Sequence, residues 1–285
     1  MKKILAIMLS MGLVFSMAAC SKSNEQDKTQ NAEVKNESEV ETTQDSKNTD
    51  SNDSKIIVGF DQNFPPFGYV GDDGNYTGFD IEMATECVKR MGKEIVLQPI
   101  DWDAKDMELE AGTIDLIWNG FTMNGREDQY TWSKPYMDNS QVFVVKVDSG
   151  IKSSADLAGK VVEVQKESSA QSALEDEKHK DLLSSFGQFL TVDQYNTAFM
   201  DLEAGAVDAI GIDIGVAKFQ LEGKEDKFVI LEDAISTEQY GIGFLKGNEA
   251  LRDEVESTLL EMVKDGTFAE ISNKYFGYDV SILGE

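Results

Sequence analysis

The sequence is poor in the residues that build several common kinds of site. It has two cysteines and one histidine, His179, in 285 residues, which excludes a disulfide framework and leaves too few ligands for a His- or Cys-based zinc site. Serine–histidine catalysis would rest on His179 alone, and no cofactor or metal is expected. Basic residues are scarce too. The 26 Lys and Arg stand against 53 Asp and Glu, a formal charge of −27, so the chain repels phosphate backbones, and binding to nucleic acid or directly to anionic lipid is not expected. The longest apolar run, Ile4 to Ala19, falls short of the ~20 residues that a spanning helix needs. What is there is a 41% apolar chain, enough for a buried core and, at ~100–200 residues per domain, for one large or two modest domains.

The amino terminus reads as an address. Lys2 and Lys3 precede the apolar run, and small residues Ala18 and Ala19 precede Cys20, so residues 1–19 form an expected signal peptide. The segment Met17-Ala18-Ala19-Cys20 resembles the lipobox of bacterial lipoproteins, which implies lipidation of Cys20 and tethering at the outer face of the cell membrane. From Ser21 to Ser54 the chain carries nine acids, four lysines, three apolar residues and no aromatic. Such a segment cannot bury enough surface to offset its chain entropy, so residues 20–54 are expected to be a lipidated, disordered, acidic linker.

Beyond the linker the sequence repeats itself. LEAGTIDLIWNGF, from Leu109, returns as LEAGAVDAIGIDI from Leu202, 93 residues later. In each copy a helix is expected to end at a glycine, Gly112 or Gly205, and an apolar strand to follow. The elements upstream match in order: IIVGF, a helix over DIEMATECVKRMG, EIVLQPI and a helix over Ala104–Ala111 in the first unit; KVVEVQ, a helix from Ser168, FLTVD and a helix over Asn196–Ala204 in the second. Strands alternating with helices mean parallel sheets, so the expected fold is α/β, two three-layer lobes with a ligand cleft between them. Cys87, at apolar spacing on a helix, is expected to be a buried thiol. His179, within EDEKHKD, is expected to be solvated.

In open α/β sheets ligands bind beyond the carboxyl ends of the strands. The loops there carry opposite charges in opposite lobes. Arg126 follows the third strand of the first unit. Asp213 ends an apolar strand of the second, where an acid needs a partner. An α-amino acid fits both: Arg126 can take its carboxylate as a two-pronged pair and Asp213 its ammonium. Ser168 and Ser169 open a helix and offer a second grip on the carboxylate. Thr122 and Gly120 can add a hydroxyl and a carbonyl, and Phe64, Phe67 and Trp102 are expected to wall the pocket.

The motifs GFDQNFPPFGY, YTGFDIEMA, LEAGTIDLIWNG, FTMNGREDQYTWSKPY and EMVKDGTFAEISNKYFG resemble the polar amino-acid branch of the bacterial extracellular solute-binding proteins, from about Lys55 to Gly277. That resemblance implies two lobes of the type 2 periplasmic-binding-protein kind joined by two crossover strands, which close on one amino acid and deliver it, as a monomer, to an ABC transporter permease. It implies Arg126 for the carboxylate, Asp213 for the ammonium, Phe64 as the stacking aromatic, the Ser168–Ser169 pair, and Trp102 as a further aromatic. The implied lobes are 55–142 plus 238–285, and 143–237, with VFVVKV and YGIGFL near the crossovers. Two departures stand out. The turn Met123-Asn124-Gly125-Arg126 is one residue shorter than the family's, so Gly125 must absorb the change, and Glu167 stands where Gly is common. With Asp61 at the other wall, Glu167 makes a cationic or strongly polar side chain conceivable for the ligand. Side-chain specificity is expected to rest on Phe64, Trp102, Asn119, Asp61 and Glu167.

Two other readings use the same scaffold. Some relatives dehydrate cyclic acids such as arogenate, and Glu167 is the carboxylate that such chemistry would need. A ligand-sensing lipoprotein that feeds no transporter is the second.

Overall fold

The computed structural model describes residues 54–284, so the expected signal peptide, Cys20 and the linker lie outside the described residues. The first strand, β1 (Lys55–Phe60), is followed by a three-stranded antiparallel meander, β2 (Asn63–Phe64), β3 (Gly68–Val70) and β4 (Tyr76–Thr77). Helix α1 (Phe79–Arg90) buries Phe79, Ile81, Met83, Ala84, Cys87 and Val88 along one stripe. Asp80 and Glu82 lie in its first turn and Lys89 and Arg90 in its last, each sign placed favourably for the helix dipole. Strand β5 (Glu94–Pro99), a short 3₁₀ turn (Trp102–Ala104), helix α2 (Lys105–Ala111), β6 (Leu116–Ile117) and β7 (Thr131–Trp132) complete this stretch.

The chain then crosses over in β8 (Met137–Lys146) to β9 (Val161–Gln165), α3 (Ser169–Glu175), α4 (Lys180–Ser185), β10 (Gln188–Val192), α5 (Tyr195–Ala204), β11 (Ala209–Asp213), α6 (Ile214–Leu221) and β12 (Phe228–Ile230). It returns through β13 (Ser236–Tyr240) to β14 (Gly243–Phe244), α7 (Glu249–Asp265) and α8 (Thr267–Phe276). One sheet runs β5-β1-β6-β14-β7, the other β10-β9-β11-β8-β12. In both, the first strand of the repeat lies between the second and the third, all parallel, with an antiparallel strand beside the third. The fold is therefore two α/β lobes. Gly112 (φ 70°, ψ 23°) and Gly205 (φ 75°, ψ 22°) end α2 and α5 in the same left-handed conformation, as the repeat requires.

The two passages between the sheets pair with each other. Residues 137–141 of β8 run antiparallel to β13 in a continuous ladder from Ser236↔Gln141 to Tyr240↔Met137. VFVVKV begins directly after this ribbon and YGIGFL with its last residue, Tyr240, before both runs enter the sheets. The expected strand IDLIWNGF is shorter than its apolar run, because only Leu116 and Ile117 stay in the ladder. After them the chain turns away, and the Gly120 N–H donates to Asp80 Oδ2 at 2.5 Å. Among the described residues no helix is long and apolar enough to cross a membrane.

Candidate functional site

The carboxyl ends of β6, β9 and β11 bring Asn119, Gly120, Gln165, Ser168, Ser169 and Asp213 around one small cavity, closed by Phe64 and Trp102. The space left between them is about 10 Å³ for the centre of a water-sized sphere, room for roughly one water. A wider space of about 420 Å³ adjoins it at Trp102, between Asp61, Asp101, Asp103 and Glu108 on one side and Lys166 and Asp193 on the other. That wide space is acidic. Lys166, its one basic side chain, is paired with Asp103 at 2.6 Å.

Arg126 is 9% exposed and reaches across the cleft. Its Nη1 donates to Ser169 Oγ (3.3 Å) and to Thr122 O (3.3 Å), and its Nη2 to Glu167 O (3.1 Å). The shortened turn that carries it closes with Arg126 N donating to Met123 O at 2.9 Å, and Gly125 takes φ 80° at its third position. Glu167, in the second departure, adopts φ 58°, the only non-glycine positive φ among the described residues. Its side chain is exposed, while its backbone carbonyl is what meets Arg126. Ser168 caps α3 by accepting from Gln171 N at 3.2 Å.

Asp213 precedes α6 as its N-cap but makes no capping bond. Its side chain turns instead to the crossover ribbon. Asp213 Oδ1 accepts from Asn139 Nδ2 (2.8 Å), Gln141 Nε2 (2.7 Å) and the Tyr240 hydroxyl. The same two amides also donate to Glu238 Oε1, each at 2.7 Å, and Thr122 Oγ1 adds a third donor at 2.9 Å. Asp213 and Glu238 are 4% and 6% exposed. Burial, then the neighbouring Glu238, pushes the Asp213 carboxyl up to about 7.

Asp61 faces the same cleft from the first lobe. It accepts from Gln165 Nε2 across the gap at 2.8 Å and from Asn63 N at 2.8 Å, and burial raises its pKa. Phe67 does not wall the cavity: fully buried, it packs behind Phe64, against Tyr240 at 5.3 Å and Phe276 at 5.9 Å. His179 is half-buried rather than solvated, with Nδ1 2.6 Å from Ala173 O. Cys87 is fully buried.

Several residues of the site lie outside the sequence expectations. Gln165, Asn139, Gln141, Glu238 and Tyr240 were legible only as polar residues on inward positions of strands. Lys105, 2% exposed, sits over the Trp102 ring at 5.4 Å with its pKa lowered by burial. Two buried cations, Arg126 and Lys105, thus lie near Trp102, and two buried carboxylates, Asp213 and Glu238, lie by the crossover ribbon. That arrangement suits a zwitterion with its charges at opposite ends.

Comparison with known proteins gives the family. Residues 56–278 match the family model "Bacterial extracellular solute-binding proteins, family 3". The L-cystine-binding protein TcyJ of Escherichia coli is 34% identical over 232 residues, covering 79% of this chain and 84% of that protein. The arginine-binding extracellular protein ArtP of Bacillus subtilis is 29% identical over 281 residues, 97% of this chain and 98% of its own. A crystal structure of an ABC uptake transporter substrate-binding protein from Streptococcus pneumoniae with bound histidine superimposes with a TM-score of 0.77 at 34% identity, covering 81% of this chain and 96% of that one. The chain belongs to family 3 of the bacterial extracellular solute-binding proteins.

Proposed function

We propose that this protein captures a free amino acid between its lobes and passes it to an ABC transporter permease. The observation that carries the reading is the placement of two buried groups of opposite sign at one cavity: Asp213 lines it, and Arg126 donates to Ser169, another of its lining residues. Arg126, with the Ser169 hydroxyl beside it, receives the α-carboxylate; Asp213 receives the α-ammonium. Phe64 and Trp102 cover the backbone of the bound molecule, and its side chain extends past Trp102 into the acidic space by Asp61, which favours a polar or cationic one.

The lobes, 55–142 plus 238–285 and 143–237, hinge at the ribbon of residues 137–141 and 236–240. The cavity as it stands holds about one water, so an amino acid enters only after the walls part. Bridging Arg126 and Asp213 then gives the ligand extra affinity for the closed form, which shifts the population toward it. A permease distinguishes loaded from empty by that shape. The signal peptide, lipidation at Cys20 and the acidic linker place this receptor on a leash at the outer face of the membrane. Names of relatives that bind cystine, arginine and histidine support the amino-acid class. No observation favours the dehydratase reading, since the Glu167 side chain is exposed.

The test is thermal unfolding of the protein, stripped of carried-over ligand by denaturation and refolding, against the twenty amino acids, cystine, ornithine and arogenate. A ligand that binds only the folded state raises the midpoint by mass action. A rise for one coherent group of amino acids is expected; no rise for any overturns the reading. Uptake measured in cells lacking the protein separates an importer component from a sensor, and mass spectrometry of the mature amino terminus tests the lipid on Cys20.

A further inference from the structure

We propose that Glu238 joins Asp213 to form a two-carboxylate seat for the ligand's ammonium group, mounted on the crossover ribbon, so that binding expels a proton. The proposal rests on the amino-acid reading above and adds to it a residue and a proton.

The geometry comes from strand register. Asp213 lies directly opposite Gln141 where β11 meets β8, and Glu238 directly opposite Asn139 where β13 meets β8. Gln141 also pairs with Ser236 of β13, so β11 and β13 flank β8 on its two edges. The two acids therefore face each other across the Asn139–Gln141 row. Both Asp213 Oδ1 and Glu238 Oε1 are 2.7 Å from Gln141 Nε2, so the two oxygens are at most about 5.4 Å apart. No side-chain donor among the described residues reaches Asp213 Oδ2 or Glu238 Oε2, which leaves one oxygen of each open to a ligand.

Charge balance in this pair is incomplete. The donors that reach it are neutral: two amides, the Thr122 hydroxyl and the Tyr240 hydroxyl. Tyr195, fully buried on α5, is the other hydroxyl near Asp213 and Glu238, with Ser168 and the Gln165 backbone beside it. Burial holds both tyrosines protonated. Arg126, which reaches the same loop, bonds the Thr122 carbonyl, and Asp80 lies beyond Tyr136 on the far side of Tyr240. No Lys, Arg or His among the described residues donates to either acid.

A buried carboxyl this close to a second one, with no cation beside it, holds its proton more tightly than a free one, so unliganded Asp213 stays partly protonated near neutral pH. An arriving ammonium supplies the missing charge. Its N–H groups meet the free oxygens, the Asp213 proton leaves to solvent, and the acid gains the negative charge that balances the ammonium. Because one acid stands on each strand flanking β8, the ammonium also ties both strands of the crossover ribbon to β11.

The test is calorimetric titration of the protein with L-arginine and L-cystine and, should neither bind, with the amino acid that the unfolding screen returns. Each titration is run in two buffers of different ionisation enthalpy from pH 6 to pH 8.5. We expect release of about one proton per molecule bound at pH 6, declining as the pH rises past about 7. The Glu238→Gln variant should lose this release and bind about tenfold more weakly at pH 8, with the gap narrowing toward pH 6. Glu238→Asp, a carboxylate one methylene shorter, should retain the release. Release of no proton by the wild-type protein overturns the seat even if Glu238→Gln does not fold. Binding by Glu238→Gln within twofold of wild type, with unchanged proton release, overturns it while leaving the Arg126–Asp213 site standing. Failure of every amino acid to bind the wild-type protein overturns both.

Discussion

Asn139 and Glu238 face each other across the ladder between β8 and β13, and the Asn139 amide donates to Glu238 Oε1 at 2.7 Å while its second N–H goes to Asp213. One side chain thus links the end of a lobe-two strand to both strands that join the lobes. A change of angle between the lobes cannot leave this cluster unchanged, because its members sit on every strand that enters the joint.

Removing either end of the Arg126–Asp213 pair should cost roughly 2–5 kcal/mol of amino-acid affinity, since the ligand's opposite charge would then be buried unpaired. Calorimetry on Arg126→Ala and Asp213→Asn, with circular dichroism to confirm folding, measures this. Near-wild-type affinity in both would remove the proposed site.

The cross-cleft ion pair between Asp103 and Lys166 is short, at 2.6 Å, but both side chains are substantially exposed. Such pairs contribute about 0–1 kcal/mol and are screened by salt. Asp103→Asn should therefore weaken amino-acid binding by less than about fivefold, and the difference should vanish near 1 M salt. A loss as large as that of Arg126→Ala would make this pair the main latch of the closed form.

Glu167 pays for its left-handed backbone with about 1 kcal/mol of strain. Glu167→Gly should raise the unfolding midpoint by about 2–4 °C and change amino-acid affinity by less than about twofold, because the contact to Arg126 uses the backbone carbonyl. A lowered midpoint would mean that the Gln171 side chain, which accepts from Glu167 N at 2.8 Å, holds this turn at no cost.

Asp80, fully buried under Gly120 and Tyr136, has its carboxyl pushed up to about 7 by burial. A carboxyl raised in the folded state binds its proton more tightly there than in the unfolded chain. Its contribution to stability is present at low pH and is lost as pH rises from about 4 through about 7, at no more than about 1.4 kcal/mol per pH unit. Asp80→Asn removes that slope. Urea unfolding of both proteins at pH 5 and pH 7.5 should show the variant gaining on wild type at the higher pH. The opposite trend would mean that Asp80 is ionised in the fold.

Much of the architecture is readable in the sequence, because the repeat around Leu109 and Leu202 fixes the order of five elements and the glycines that end two helices. Arg126 and Asp213 were readable for a related reason: each is a charge at the end of an apolar strand, where burial demands a partner. Glu238 was harder to see. Ser236-Thr237-Glu238-Gln239-Tyr240 looks like an exposed polar edge, and only its period of two, with Glu238 and Tyr240 both buried, gives it away. Asn139 and Gln141 share that pattern at the start of β8, whose later inward positions are apolar. Lys105 is hidden for a different reason: a lysine next to an acid on a short helix reads as solvated until Trp102 is seen to cover it. Phe67 looks like Phe64 in sequence because the two share one loop, whereas only Phe64 lines the cavity.

Cys87 is the one cysteine among the described residues, fully buried, with its thiol pushed up to about 12 by burial and its Sγ 3.8 Å from Val255 O. A thiol so rarely ionised reacts slowly with maleimides and spin labels. Met107 and Met200, at matching positions of the two repeats, are 67% and 70% exposed. Replaced by cysteine, that pair offers a dye or nitroxide site on each lobe of the chain beyond Cys20 with the interior thiol left in place, and the distance between the two labels becomes a direct gauge of how far the jaws stand apart.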